Sequence, residues 1–187
     1  MPVFPKDKDI KAVRDVVKAN IDWVPPYGSG AQLYIRPYMF GSNAVIGVKP
    51  AAEYQFRILV TPVGPYFKGG VKPIKVRISD RDRAAPHGTG DIKAGLNYAM
   101  SLGNIMDAHR QGYAENIYLD PASHTYIEET GGANILCITK EGKLITPKSN
   151  SILPSITRRS LLVVAKEYLG LEVEERQISK EELADMK

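Results

Sequence analysis

A single lysine, Lys93, stands where a glycine-rich loop meets the start of a predicted amphipathic helix. Small residues surround it, and the aromatic Tyr98 follows in the first turns of that helix. Such surroundings can desolvate an ammonium group, which lowers its pKa and frees the amine to attack a carbonyl carbon. Most lysines are solvated surface charges, and on spacing alone that alternative stays open.

A second polar segment, residues 149–158, runs into a predicted helix over residues 157–169 that Gly170 ends. Backbone N–H groups in the first turn of a helix, together with the Thr157 hydroxyl, form a site suited to a phosphate. The commoner alternative is that Thr157 only caps the helix.

A third candidate lies in the predicted strand over residues 32–40. Regular strand geometry projects Tyr34 and Arg36 to one face, and Leu33 and Ile35 to the other. A tyrosine beside an arginine can hold an anionic ligand. The alternative is a solvated arginine next to a half-buried tyrosine.

Hydrophobic periodicity places the other elements around these segments. Helices are predicted over residues 8–19 and 94–111, and strands over residues 54–60, 74–78, 116–120, 135–139, 144–147 and 173–178. Gly112 is expected to end the second helix, residues 140–143 to form a hairpin turn, and Ser179 to cap a last helix. Apolar and charged residues alternate over residues 74–78, which is typical of a strand with one wet face.

Composition limits the class of function. The chain has 187 residues, of which 43% are hydrophobic and 25% charged, as in an ordinary globular protein. Its net charge is +4, but the Lys and Arg residues are scattered among acidic residues, so nucleic-acid binding is not expected. No apolar stretch approaches the length of a membrane-spanning helix, and residues 1–8 lack the apolar core of a signal peptide, so neither segment is expected.

The lone cysteine and the histidines point away from disulfide and metal chemistry. Cys137 sits in an apolar run, which predicts a buried structural thiol and favours a reducing compartment, by default the cytoplasm. His87, His109 and His124 are too dispersed to indicate a metal site, so none is expected.

Read together, these segments resemble the branched-chain amino-acid aminotransferases of pyridoxal-phosphate fold type IV. The motifs that carry the resemblance are Leu33-Tyr34-Ile35-Arg36-Pro37, Gly64-Pro65-Tyr66-Phe67, Arg83-Ala84-Ala85-Pro86, Lys93-Ala94-Gly95-Leu96-Asn97-Tyr98, Glu128-Glu129-Thr130-Gly131-Gly132-Ala133-Asn134 and Leu153-Pro154-Ser155-Ile156-Thr157-Arg158. They occur in the family's order over nearly the whole chain.

The resemblance implies an α/β fold of the D-amino-acid aminotransferase-like type, with mixed sheets and flanking helices. Residues 1–70 would be the C-terminal remnant of the small domain with the interdomain connection, and residues 71–187 an incomplete large domain that binds pyridoxal phosphate. The chain would then be truncated at both ends. A phosphate-binding arginine would precede Met1, and a Gly-Thr-Ala segment would follow Lys187.

Roles for the cofactor-side residues follow from the resemblance. Lys93 matches the lysine that forms a Schiff base with pyridoxal phosphate and later moves the substrate proton. Tyr98 matches the tyrosine that binds the phenolic oxygen of the cofactor, and Asn134 lies in the adjoining loop. Glu129 matches the carboxylate paired with the ring nitrogen, which leaves Glu128 as its solvent-facing or structural neighbour.

The resemblance also supplies the remaining contacts. Ile156 and Thr157 match the phosphate-binding turn. Tyr34, Arg36 and Tyr66 match residues that hold substrate carboxylates, in a pocket that otherwise takes apolar side chains.

The implied function is transamination between leucine, isoleucine or valine and 2-oxoglutarate, in a homodimer to which the loop at residues 46–48 contributes across subunits. The alternative is a truncated, catalytically inactive fragment that acts only as a folding or dimerisation module. Two departures bear on the cofactor site: Leu96 and Ser155 stand where the family usually has glycine.

Overall fold

The computed structural model describes residues 1–65 and 70–186. Contacts divide the chain into two units, Met1–Lys72 and Pro73–Lys187. Within the described ranges, no helix is both long enough and apolar enough to cross a membrane. The domain identities expected for the two parts of the chain stay predictions.

The first unit consists of a helix and a two-stranded ladder. Its elements are α1 (Lys6–Ala19), a short 3-10 helix (Ile21–Trp23), β1 (Gln32–Gly41) and β2 (Tyr54–Val63). The helix predicted over residues 8–19 is confirmed, and Asp7 and Asp9 complement the positive end of its dipole. β1 and β2 pair antiparallel over their full length, and Phe4 stacks on Phe56 with ring centroids 3.9 Å apart.

The second unit holds two three-stranded mixed sheets. One contains β3 (Val76–Ile78), β4 (Glu115–Leu119) and β5 (Ile127–Thr130), and the other β6 (Cys137–Ile138), β7 (Leu144–Pro147) and β8 (Val173–Arg176). Each sheet has one parallel and one antiparallel pair of neighbours. The hairpin predicted at residues 140–143 is confirmed by the antiparallel pairing of β6 with β7.

Three helices complete this unit: α2 (Gly95–Arg110), α3 (Ile156–Glu167) and α4 (Lys180–Ala184). Gly112 follows α2 with a φ of +82°, a conformation that glycine adopts without strain, as the C-terminal prediction requires. Ser179 Oγ accepts a hydrogen bond from the Glu182 backbone N–H at 3.0 Å, which confirms the predicted cap of α4.

The core lies where the two sheets meet. Its buried members are Ile117, Leu119, Ile127, Cys137, Ile145 and Ile178. The Ile127 N–H donates to the Ile178 carbonyl at 2.8 Å, which joins β5 to the segment after β8. Cys137 is a buried free thiol, as predicted, and burial raises its pKa.

Helix α2 packs with an unexpected face inward. Its buried residues are Asn97, Ser101, Asn104 and Ala108. The apolar residues that predicted the helix are largely on the outside, since Leu96, Met100, Leu102 and Met106 are all more than half exposed. The helix is therefore confirmed, but the apolar face inferred from its periodicity is not the face that packs against β4.

The strand predicted over residues 74–78 is found at Val76–Ile78 and has one exposed face, but that face is the apolar one. Ile74, Val76 and Ile78 are exposed, whereas Arg77 is half-buried and its Nε donates to Asn116 Oδ1 at 2.8 Å. Asn116 is fully buried in the neighbouring β4. The hydrogen bond to that partner turns the arginine toward the sheet and leaves the apolar side chains outside.

Candidate active site

Asn97, in the first turn of α2, binds the segment of residues 89–93, which is called the lysine loop below. Its Nδ2 donates to the carbonyls of Thr89 at 2.6 Å and Ile92 at 2.9 Å, and Thr89 Oγ1 donates to Asn97 Oδ1 at 3.0 Å. Asn97 is buried, so these bonds form away from solvent. Residues 89–92 are thereby held in one conformation immediately before Lys93.

The lysine itself projects from this loop toward Tyr98. Lys93 Nζ donates to the Tyr98 hydroxyl at 2.7 Å and lies 4.7 Å from the centroid of its ring. The lysine is exposed, so its small neighbours and the tyrosine do not bury the ammonium as the sequence suggested. What the structure does bring together is the amine and the phenol, both predicted members of the site.

Glu129 is a buried carboxylate at the end of β5, with only 4% of its surface exposed. Its Oε1 lies 2.7 Å from Arg83 Nη2 and accepts from the Leu153 N–H at 3.3 Å. Its Oε2 accepts from Asn134 Nδ2 at 2.9 Å, and that amide also donates to the Leu153 carbonyl. Asn134 therefore contacts Glu129 directly, as a holder of the carboxylate.

Burial raises the pKa of Glu129 to about 7, although Arg83 and the Leu153 N–H oppose the rise. The neighbouring charge of Glu128 adds to the rise, and that of Lys93 lowers it. Glu129 therefore changes charge near neutral pH, where its protonation state can be shifted by one additional partner.

Arg83 links three segments around this carboxylate. Besides Glu129, its Nη2 donates to the carbonyls of Gly90, at 3.1 Å, and Ser151. Gly90 is needed for this approach, because a Cβ atom there would lie 1.9 Å from the Ser151 carbonyl oxygen. The lysine loop, β5 and the segment before α3 are thus held together by one buried guanidinium.

The adjacent acid, Glu128, is buried as well, which excludes the solvent-facing alternative. Its Oε1 accepts from the hydroxyls of Ser149 and Ser151. A cavity of about 460 Å³ lies beside it, and neither Lys93 nor Glu129 is among the residues that line the cavity. Successive residues of a strand face opposite sides, so the two carboxylates serve different surroundings.

Helix α3 begins at Ile156 with Ser155 as its N-cap. Ser155 Oγ accepts from the Arg158 N–H at 3.2 Å, which corrects the alternative that Thr157 caps the helix. Both Ile156 and Thr157 are exposed. Because the first N–H groups of a helix lack intrahelical partners, this turn can still bind an anion.

Arg158, which is 6% exposed, anchors the first turn of α3. Its guanidinium donates to Thr146 Oγ1 at 3.0 Å, to the Pro147 carbonyl at 3.1 Å and to Glu175 at 2.6 Å. The start of α3 is therefore fixed to β7 and β8.

The predicted substrate residues belong to the first unit. Tyr34 and Arg36 lie on the exposed face of β1 while Leu33 and Ile35 are half-buried, which confirms the predicted alternation. Arg36 donates to the Tyr34 hydroxyl from Nε at 3.1 Å and from Nη2 at 2.9 Å. Tyr66 lies outside the described residues.

Arg83 and Asn97 are the functional candidates that the sequence reasoning left without a role. Both occur inside motifs already singled out, and both are polar residues at positions that turn out to be buried. Both bind backbone carbonyls, and in addition Asn97 accepts from the Thr89 hydroxyl and Arg83 pairs with an acid 46 positions away. Among the described residues, no group of His, Cys, Asp or Glu side chains could hold a metal ion.

Comparison with known proteins connects this geometry to one family. The model of amino-transferase class IV matches residues 3–187. The branched-chain-amino-acid aminotransferase of Haemophilus influenzae is 54% identical over 92% of this chain and 52% of its own length. That of Helicobacter pylori is 51% identical over 100% of this chain and 56% of its own length. The chain thus spans about half the length of these relatives.

Solved structures agree. The branched-chain amino acid aminotransferase of Escherichia coli matches with a TM-score of 0.79 and 35% identity, over 100% of this chain and 58% of that one. The pyridoxal-phosphate form of the Thermobaculum terrenum enzyme matches with a TM-score of 0.75 and 30% identity, over 97% of this chain and 57% of that one.

Proposed function

The chain belongs to the class IV aminotransferases, and we propose that it carries the pyridoxal-phosphate site of an enzyme that transaminates leucine, isoleucine or valine with 2-oxoglutarate. The observation that supports this most directly is the buried Glu129 carboxylate, held by Arg83 and Asn134. A pyridine ring nitrogen needs such an acceptor if it is to stay protonated.

The residues present fit pyridoxal phosphate. Among the described residues, Glu129 Oε2 accepts one hydrogen bond, from Asn134 Nδ2, so it can accept another from a donor such as a ring N–H. Lys93 offers an exposed amine that is hydrogen-bonded to the Tyr98 hydroxyl, and among the described residues no carboxylate forms an ion pair with it. Ile156 and Thr157 offer backbone N–H groups to a phosphate.

When bound, pyridoxal phosphate supplies an electron-poor ring that takes up the electron pair left when the substrate Cα loses its proton. Lys93 would hold the cofactor through its amine and would carry the proton to and from the substrate. Tyr98, which accepts a hydrogen bond from Lys93, would orient the lysine and bind the phenolic oxygen of the cofactor. Arg36 and Tyr34, with Tyr66, would bind the substrate carboxylates.

Two further properties belong to the proposal. The partner is a second copy of the chain, since α2 exposes Leu96, Met100, Leu102 and Met106 and the apolar Ile46 and Val48 stand fully exposed. The compartment is the cytoplasm, whose reducing conditions suit a buried free thiol at Cys137.

The exposed side of α2 also favours a second candidate, a chain that keeps the site residues but only associates with other chains. The two candidates differ in one measurable property. The enzyme converts a branched-chain oxo acid in the presence of glutamate, whereas the association module forms dimers without turnover.

Borohydride reduction after incubation with pyridoxal phosphate, followed by peptide mass mapping, tests the site first. We expect the label on Lys93 and its loss in Lys93→Ala, whereas Lys166→Ala, which removes an exposed lysine of α3, leaves the label in place. Label scattered over many lysines, or absent, would contradict the proposed cofactor site.

A further inference from the structure

The hydrogen-bond donors around Glu129 are unevenly divided between its two oxygens. Among the described residues, two donors, Arg83 Nη2 and the Leu153 N–H, contact Oε1, whereas one donor, Asn134 Nδ2, contacts Oε2. A carboxylate has about four lone-pair positions, two on each oxygen. The described residues therefore saturate Oε1 and leave acceptor capacity on Oε2.

Arg83 is the charged member of this set and is itself 5% exposed. Its only acidic partner among the described residues is Glu129, and its Nε has no acceptor in that part of the chain. Two hydrogen bonds to the carbonyls of Gly90 and Ser151 hold the guanidinium in place. A buried arginine with one acid partner stabilises the ionised form of that acid.

The remaining charges near Glu129 do not replace Arg83. Glu128 opposes ionisation, and Lys93, which favours it, is the residue that the proposed function assigns to the cofactor. Burial has already raised the pKa of Glu129 to about 7 with Arg83 present. Loss of the guanidinium would raise the pKa further, because Arg83 favours the ionised carboxylate more strongly than Lys93 does.

On these grounds, and resting on the proposed function, we propose that Arg83 is a positioning residue that keeps Glu129 ionised and turns its Oε2 toward the ring nitrogen of the cofactor. Arg83 acts through Glu129 and touches neither cofactor nor substrate. A neutral Glu129 would donate a hydrogen bond to an unprotonated ring nitrogen, whereas the ionised carboxylate accepts one from a protonated ring nitrogen. An unprotonated ring would draw electrons less strongly.

The competing explanation is that Arg83 has a purely structural role, in which its hydrogen bonds only hold three segments together. Arg158 provides a matched control, because it is equally buried and also bonds to backbone and acid, yet its acid partner is Glu175. Substituting either arginine removes a buried tie. Only substitution of Arg83 should change the titration of Glu129.

The first test uses the chain without cofactor. Infrared carboxyl bands of the protein are followed against pH, and the Glu129 band is assigned by its absence in Glu129→Gln. We expect the midpoint to rise by about one pH unit or more in Arg83→Gln, to stay near the wild-type value in Arg83→Lys, and to be unchanged in Arg158→Gln. An unchanged midpoint in Arg83→Gln would overturn the proposal.

Unfolding measurements keep the test decisive if Arg83→Gln is too unstable to titrate. Its destabilisation should increase from pH 5 to pH 8, because the folded state then binds a proton that the unfolded state has released. Adding Glu129→Gln to the same chain should remove that pH dependence. A destabilisation that is equal at both pH values, with or without Glu129→Gln, would show that Arg83 is only a structural tie.

The second test addresses the ring nitrogen. We expect Arg83→Gln to weaken binding of pyridoxal phosphate about tenfold or more at pH 7.5, but to leave unchanged the binding of the analogue with carbon in place of the ring nitrogen. Equal weakening of both compounds would overturn the proposed role. If the wild-type chain binds neither compound, the proposed function fails, while the titration still decides whether Arg83 controls Glu129.

Discussion

Helices α2 and α3 each begin at a part of the candidate site, yet they are held in different ways. The buried face of α2 carries Asn97, Ser101 and Asn104, and that of α3 carries Leu162 and Ala165 in an apolar cluster, with Arg158 below the first turn. The buried face of α2 is mostly polar, whereas α3 combines an apolar cluster with the hydrogen bonds of Arg158 at its first turn. The lysine loop is therefore held by the hydrogen bonds of Asn97, and the body of α3 by apolar packing.

Leu162→Ala should have the largest effect on stability. Its side chain is buried with Leu144 and Ala165, so truncation should lower the free energy of unfolding by about 3 kcal/mol. Leu102→Ala, on the exposed face of α2, should cost less than about 0.5 kcal/mol. Urea denaturation of both variants measures the difference, and equal losses would contradict the contrast between the helices.

Asn97→Ala should follow, with a loss of about 2 kcal/mol, because the carbonyls of Thr89 and Ile92 lose a buried donor. The loop before Lys93 should then adopt several conformations, and the yield of borohydride label on Lys93 should fall. Asn150→Ala, which changes an exposed asparagine, is the control. An unchanged yield of label would mean that α2 does not need Asn97 to position the lysine.

Ser155→Gly should stabilise the chain. Ser155 has a φ of +53°, which costs a non-glycine residue of the order of 1–3 kcal/mol, whereas loss of its capping hydroxyl to glycine costs only a few tenths. We expect a net gain of about 1 kcal/mol in thermal or urea unfolding. The same substitution at the exposed Ser160, inside α3, should instead lose about 1 kcal/mol.

Met100→Gln should have the smallest effect on folding, below about 0.5 kcal/mol, because Met100 is more than half exposed. Its effect should appear in association, since the proposed dimer covers apolar side chains of α2. Sedimentation velocity should show less dimer for Met100→Gln than for Val163→Gln, the matched change on the exposed side of α3. Equal dimer fractions would show that the face of α2 is not part of the interface.

Local signals in the sequence predicted the elements well. A few neighbouring residues are enough to predict the apolar periodicity of α1, the glycine that ends α2 and the serine that caps α4. The structure confirms all three. The family resemblance also predicted the mixed α/β fold correctly. These features depend on contacts within one or two turns, which the sequence displays directly.

Burial was harder to predict because it depends on partners far along the chain. The apolar periodicity of α2 gave the wrong inward face, since its buried residues include the polar Asn97, Ser101 and Asn104. Arg77 is turned inward by its hydrogen bonds to Asn116 and to the Asn104 carbonyl. Likewise, Arg83 and Glu129 are 46 positions apart and share no periodic pattern. The cofactor and substrate roles of the predicted site residues stay predictions, although the structure pairs Lys93 with Tyr98 and Glu129 with Asn134.

The lone thiol in the core offers a built-in reporter of folding. Cys137 lies among the side chains that join the two sheets, and burial disfavours the thiolate that alkylating reagents require. A reagent should therefore label the chain only when this core opens, and a single label per molecule counts each opening event. Comparing labelling rates with global unfolding would reveal whether the sheets separate locally before the whole unit unfolds.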